Sequence, residues 1–157
     1  MNKEERKLLY TDLCARVPHK VRCQAENGLG GGKTDRGVLK YVGNCNGVIS
    51  HYYEDVPIDS GFINNVFYPI ENIKPYLRPM SSMTKEEYET FPIPYSFDSF
   101  STWNNTILSE VIEGTQILIG IDEITEIIDW LNRHHFDYRG LIERGLALEA
   151  PDDMYSK

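Results

Sequence analysis

The chain has 157 residues, 41% of them apolar and 25% charged, with a formal net charge of −8 at neutral pH. These proportions exclude a disordered polar chain and a low-complexity or collagen-like one, and no apolar run approaches the roughly 20 residues that cross a bilayer. The expectation is one domain over residues 1–157, placed in the cytoplasm because the opening MNKEERKLLYTDL is too charged for a signal-peptide core.

Residues 2–16 read as a first helix. Leu9, Leu13 and Val17 recur every four positions among Lys and Glu, and Pro18 stops the pattern. Val21, Cys23 and Ala25 then alternate with Arg22, Gln24 and Glu26, the period of a half-buried strand. A glycine-rich connection, Asn27 to Gly37, leads to a second strand at VLKYVG. A turn at Asn46-Gly47 precedes a third strand, Asp59-Ser60-Gly61 makes the next turn, and FINNVFYPI is a fourth candidate. Pro69 and Pro75 are expected to push the chain out of the sheet.

Ser81 to Tyr88 reads as a helix start, with Ser82 or Thr84 as cap and Glu86 and Glu87 in its first turn. The aromatic, proline-broken stretch from Phe91 to Trp103 reads as a packed loop, and VIEGTQILIG as a strand hairpin. From Ile121 the pattern is the cleanest in the chain. Ile124, Ile127, Ile128 and Leu131 share one helical face, with Asp122 and Glu123 at the start and Arg133 at the end, as the helix dipole favours. A short helix around Tyr138–Arg144 and a strand at LALEA close the chain. Gly140 and Gly145 mark a tight turn and a helix exit.

Charge is uneven along the chain. Residues 1–40 hold nine Lys/Arg against five Asp/Glu, while the remainder holds seven against nineteen. That asymmetry suggests a basic contact surface on an acidic body, or an acidic decoy of nucleic acid. Cys14, Cys23 and Cys45 form no CxxC pair, so they read as reduced thiols, and neither a metal site nor a cofactor is indicated. Gly32-Lys33-Thr34 matches the end of a phosphate-binding P-loop. However, Asn27 replaces its first glycine, and no helix pattern follows to present amides to a phosphate. Tyr52, Tyr53, Tyr68 and Tyr76 would stack bases if exposed, but few basic residues accompany them, so packing is the favoured role.

The densest group of reactive side chains is His134-His135-Phe136-Asp137-Tyr138-Arg139. Adjacent histidines on a helix point about 100° apart and do not share a metal readily. His135 with Asp137 has the residue types of an oriented general base. The plainer reading has His134 capping the helix carbonyls and His135 packing with Trp130 and Phe136.

Two stretches, Ile73-Lys74-Pro75-Tyr76-Leu77-Arg78-Pro79-Met80-Ser81-Ser82-Met83-Thr84 and Trp130 to Glu143 (WLNRHHFDYRGLIE), together with Asp12-Leu13-Cys14-Ala15-Arg16, resemble small uncharacterised proteins of gut Bacteroides-type bacteria, their prophages and phages. The resemblance implies a phage or mobile-element setting rather than a mechanism, and no catalytic residue is carried over from it.

The resulting expectation is an α+β fold: an N-terminal helix, a small antiparallel β-sheet or SH3-like roll, and a C-terminal helical part. The expected function is a non-enzymatic phage or prophage accessory protein that binds a host or phage protein, with nucleic acid less favoured and no membrane. The alternative is a small hydrolase using the His135/Asp137 pair. The expected contact surface comprises Trp130, His134, His135, Asp137, Tyr138 and Arg139, with Lys33 and Arg36 from the glycine-rich loop.

Overall fold

The structure, a computed structural model, describes residues 1–26, 34–43, 46–51, 65–92 and 121–155. Helix α1, Lys3–Arg16, begins in a reciprocal capping box. The Asn2 side chain accepts from the Glu5 amide at 2.8 Å, and the Glu5 carboxylate accepts from the Asn2 amide at 2.8 Å, which satisfies two otherwise orphaned donors. Leu9 and Leu13 are buried as the four-residue spacing predicts. Pro18 stands in a 3-10 turn, Val17–His19, that ends the helix.

The strands are β1 (Arg22–Ala25), β2 (Asp35–Val42), β3 (Asn46–His51), β4 (Asn65–Pro69), β5 (Ile73–Leu77) and β6 (Leu148–Glu149). Their spatial order is β4-β3-β2-β1-β5-β6. Every neighbouring pair is antiparallel except β5 and β6, which run parallel. The N-terminal helix, mainly antiparallel sheet and C-terminal helix make this an α+β fold.

Three local expectations need correction. Asn46 and Gly47 are not a turn: they pair with Pro69 and Tyr68 inside the sheet, and Gly47 also pairs with Val42. The proline expectation fails as well, because Pro69 closes β4 and Pro75 lies in mid-β5 opposite Cys23. The backbone explains how Pro75 is accommodated. The Leu77 carbonyl faces β6, accepting from the Ala150 amide at 2.8 Å. By strand alternation residue 75 points the same way, beyond the two residues that β6 pairs, so the missing N–H leaves the β1 ladder intact. Lastly, residues 138–145 form successive turns rather than a helix. Gly140 and Gly145 there have φ of +66° and +68°, which glycine adopts without steric cost.

Helix α2, Lys85–Glu89, starts in a second capping box between Thr84 and Glu87. Helix α3, Ile121–Arg133, follows. It buries Ile127, Trp130 and Leu131, while Ile124 stays exposed. Two apolar clusters result. One packs α1 on the sheet through Leu9, Leu13, Cys23, Leu39, Ile73 and Leu77, closed by Leu141 and Leu146. The other joins Met80, Met83, Tyr88 and Phe91 to Ile127, Trp130, Leu131 and Phe136 of the α3 region. Cys14 and Cys23 are free thiols, and burial pushes that of Cys23 above its usual range. Tyr68 and Tyr76 are buried rather than presented for stacking.

The P-loop-like segment with Lys33, the Asp59-Ser60-Gly61 turn, Tyr52, Tyr53, Cys45, most of the 91–103 loop and the expected hairpin at 111–120 lie outside the described residues.

Candidate functional site

The segment after α3 is positioned by how the helix ends. The Phe136 amide donates to the Leu131 carbonyl at 3.0 Å and the His135 amide to Asn132 at 3.2 Å. These are the paired bonds of a Schellman motif, which needs a left-handed residue at its turn, usually glycine. Here His135 occupies that place with φ of +61°, a conformation that costs a side chain roughly 1–2 kcal/mol. The next residues lie alongside the end of β5. The Arg78 amide donates to the His135 carbonyl at 2.8 Å, and the Asp137 amide to the Arg78 carbonyl at 2.7 Å.

The turn leaves His134 and His135 on one side and Asp137, Tyr138 and Arg139 on the other. Inward lies a buried ionic knot. Asp12 and Arg16, both with no exposed surface, pair one turn apart on α1 with Nε and Oδ2 2.7 Å apart. Arg16 Nη2 also donates to the Phe136 carbonyl at 2.7 Å. Arg139 brings its Nε to 3.3 Å from Asp12 Oδ1, an ion pair without hydrogen-bond alignment. The Arg16 and Arg139 guanidinium groups lie over the Tyr138 ring at 5.6 and 4.8 Å. Asp137, also buried, accepts from the Leu141 and Ile142 amides, each at 2.8 Å. Its carboxylate therefore closes the 137–142 turn, and no hydrogen bond joins it to His135.

Outward lies a cleft of about 860 Å3. Its walls include His19, Lys20 and Arg22 from the α1–β1 junction, Arg78 after β5, and Arg133, His134 and His135 at the end of α3. Glu87, Glu149, Asp152 and Tyr155 complete the ring of polar residues. Four Lys/Arg side chains and three histidines thus face three carboxylates, in a chain where carboxylates outnumber Lys and Arg by 24 to 16. Arg78 is held by Glu87 in a two-pronged ion pair and by the Ser82 carbonyl at 3.1 Å. Burial alone would raise the Glu87 pKa, but the Arg78 guanidinium and the Thr84 amide hold it below the usual carboxylate value. His19 and Arg133 both pair with Asp129. Lys20 and Arg22 are exposed and make no ion pair among the described residues.

His134 stacks on Trp130 at 3.8 Å, and its Nδ1 lies 2.9 Å from the Trp130 carbonyl. A carbonyl can only accept, so Nδ1 carries the proton, and the expected cap is realised. His135 does not pack on Trp130. It stacks on Tyr155 at 3.9 Å, is 8% exposed, and its Nδ1 is buried with no hydrogen-bond partner among the described residues. Burial, reinforced by the nearby positive charges of Arg16, His19, His134 and Arg78, lowers its pKa to about 3. At neutral pH it is an uncharged imidazole and a poor proton acceptor.

Tyr155 holds the cleft floor. Its hydroxyl accepts from the Arg22 amide at 3.2 Å and donates to the Tyr76 carbonyl at 2.8 Å. The β1–β5 register would make residues 22 and 76 the next direct pair, so the phenol takes the place of a ladder bond where the strands part. Burial pushes that phenol above its usual pKa range.

Of the expected contact residues that the structure describes, only His134 and His135 line the cleft. Trp130 is core, Asp137 is a backbone cap, and Tyr138 and Arg139 belong to the knot. Arg36 is exposed on β2, opposite Gln24, and not in a loop. Sequence reasoning missed His19, Lys20, Arg22, Arg78 and Tyr155. The basic excess of the first forty residues, with His19, Lys20 and Arg22 gathered just after Pro18, was the signal that pointed there. The segments Asp12–Arg16, Ile73–Thr84 and Trp130–Glu143 meet around this turn, through Arg16 on Phe136 and Arg78 on His135 and Asp137.

Among the described residues no group of three or more His, Cys, Asp or Glu is placed to hold a metal ion, and no helix is long and apolar enough to cross a membrane. Compared with known proteins, the chain matches no family model, no curated protein and no solved structure.

Proposed function

We propose that the chain is a phage or prophage accessory protein that binds a host or phage protein without catalysing a reaction, and that the cleft between His19 and Tyr155 is its contact site. The observation that carries this reading is the cleft's lining, which is rich in cations and imidazoles on an acidic protein and includes two cations, Lys20 and Arg22, without ion partners among the described residues. Side chains suited to acid–base chemistry are engaged elsewhere: Asp137 by two backbone amides, Glu87 by Arg78, Asp12 by Arg16. His135 binds protons too weakly to serve as a base at neutral pH. The net charge of −8 disfavours a general nucleic-acid coat, whose affinity comes from neutralising many phosphates.

A tagged pull-down from host lysate, with and without nuclease, tests this reading in the parent protein and in Lys20→Glu/Arg22→Glu. The expected result is a retained protein that survives nuclease and is lost from the double variant. Capture unchanged by the double substitution removes the cleft as the contact site. Turnover of a phosphoester abolished by His135→Ala would replace the binding reading with the hydrolase.

A further inference from the structure

Resting on that reading, we infer that the group received by the cleft is a phosphomonoester dianion, free or carried on a partner's side chain. Its donors come from separate elements: Lys20 and Arg22 from the α1–β1 junction, Arg133 from the end of α3, and His135 from the turn beyond it. A carboxylate is satisfied by a single guanidinium fork. A phosphomonoester carries close to two charges and three strong acceptor oxygens, and so uses donors that converge from several directions.

Two further observations fit this class of ligand. Lys20 and Arg22 hold their charge without an ion partner among the described residues, so an incoming anion displaces no existing bridge from them. His135 lines the same cleft more than nine-tenths buried, in a left-handed backbone conformation and with an unpartnered ring nitrogen. A buried polar atom without a partner calls for an explanation, and a ligand hydrogen bond supplies one if the ring shifts on Tyr155 to bring the shut-off Nδ1 to the cleft. Glu149 and Asp152 stand in the C-terminal part of the lining. They favour a single compact anion over a long diester backbone, which would meet more of their negative charge.

The test is direct titration of the purified full chain, by calorimetry or amide chemical shifts. The probes are inorganic phosphate, phenyl phosphate, benzoate, and one peptide with and without a phosphoserine. Phenyl phosphate should bind and benzoate should not, and Arg22→Gln should weaken phenyl phosphate by about tenfold or more. Arg22 is exposed, so this variant keeps its fold, which a matching melting curve confirms. A phosphopeptide binding more tightly than phenyl phosphate identifies a partner's side chain as the source, and equal binding identifies a free ester. Equal binding of benzoate, or phosphate affinity unchanged in Arg22→Gln, overturns the inference. Such a failure leaves the pull-down result standing, whereas phosphate binding beside an empty pull-down removes the protein partner and keeps the anion site.

Discussion

The two sides of the segment from His134 to Arg139 handle charge in opposite ways. On the inner side, Asp12 and Arg16 meet at 2.7 Å away from water, with the half-buried Arg139 3.3 Å from Asp12. On the outer side, Lys20 and Arg22 stand in a cleft with no carboxylate bound to them among the described residues. Buried ions are tolerated only when paired, because desolvation costs several kcal/mol per ion. Exposed ions carry no such requirement, so their unpaired state remains available to a ligand. Side chains two residues apart can therefore belong to folding and to recognition respectively.

The largest test of this contrast lies in the knot. Asp12→Ala leaves two guanidinium groups facing each other without a counter-charge, and should cost about 3–5 kcal/mol in urea unfolding. A loss below about 1 kcal/mol would mean that the knot is not what holds α1 to the C-terminal region.

The next effect is the acid limb of stability, which His135 should dominate. Its folded pKa of about 3 lies below the roughly 6.5 of an unfolded chain, so the unfolded state binds the proton first as pH falls. The stabilisation from keeping this imidazole neutral is whole above about pH 6.5. It is lost progressively down to about pH 3, at up to about 1.4 kcal/mol per unit. Glu87, held below its ordinary value, acts in the same direction at the acid end. His135→Asn, which tolerates the left-handed backbone, should flatten the upper part of this slope. An unchanged slope would show that His135 is not the group responsible.

A smaller effect belongs to the cleft floor. Tyr155→Phe keeps the ring stack and removes the hydroxyl between the Arg22 amide and the Tyr76 carbonyl, which should cost about 1–3 kcal/mol. Amide exchange at Arg22 should rise at the same time, and protection unchanged at that amide would argue against the bridge. Smallest of all, Arg22→Gln should shift stability by no more than about 0.5 kcal/mol while weakening phosphate binding. A large loss of stability would move Arg22 from the recognition side of the comparison to the folding side.

Much of the fold was legible because its signals are local. Leu9 and Leu13, Cys23 and Ala25, the Thr84–Glu87 capping box and the Ile127–Leu131 face each follow from spacing within one element. The ionic knot was not legible. Asp12 and Arg16 look like surface residues of a charged helix until Phe136 and Arg139 arrive from far along the chain, and periodicity carries no information about such partners. Pro75 misled for the same reason: whether a proline ends a strand depends on which neighbour its nitrogen faces. At the site, the basic residues after Pro18 and the histidine pair were each visible, but nothing local says that they share a cleft. The opposed directions of His135 and Asp137 come from one left-handed turn at a residue that is not glycine.

The Arg16 bond to the Phe136 carbonyl spans 120 residues, and this has a consequence for biosynthesis. The helix carrying Arg16 leaves the ribosome well before its acceptor is made, and β5 waits in the same way for β6. Until residues 136–149 emerge, the inner guanidinium has only its helical neighbour Asp12, and one edge of the sheet lacks its final strand. Contacts of such long sequence separation slow folding and prolong exposure of unpaired strand edges. The chain should therefore reach its native state only after its last third has been translated, and a ribosome-stalled product ending before Phe136 should be protease-sensitive even though α1 and most of the sheet are already present.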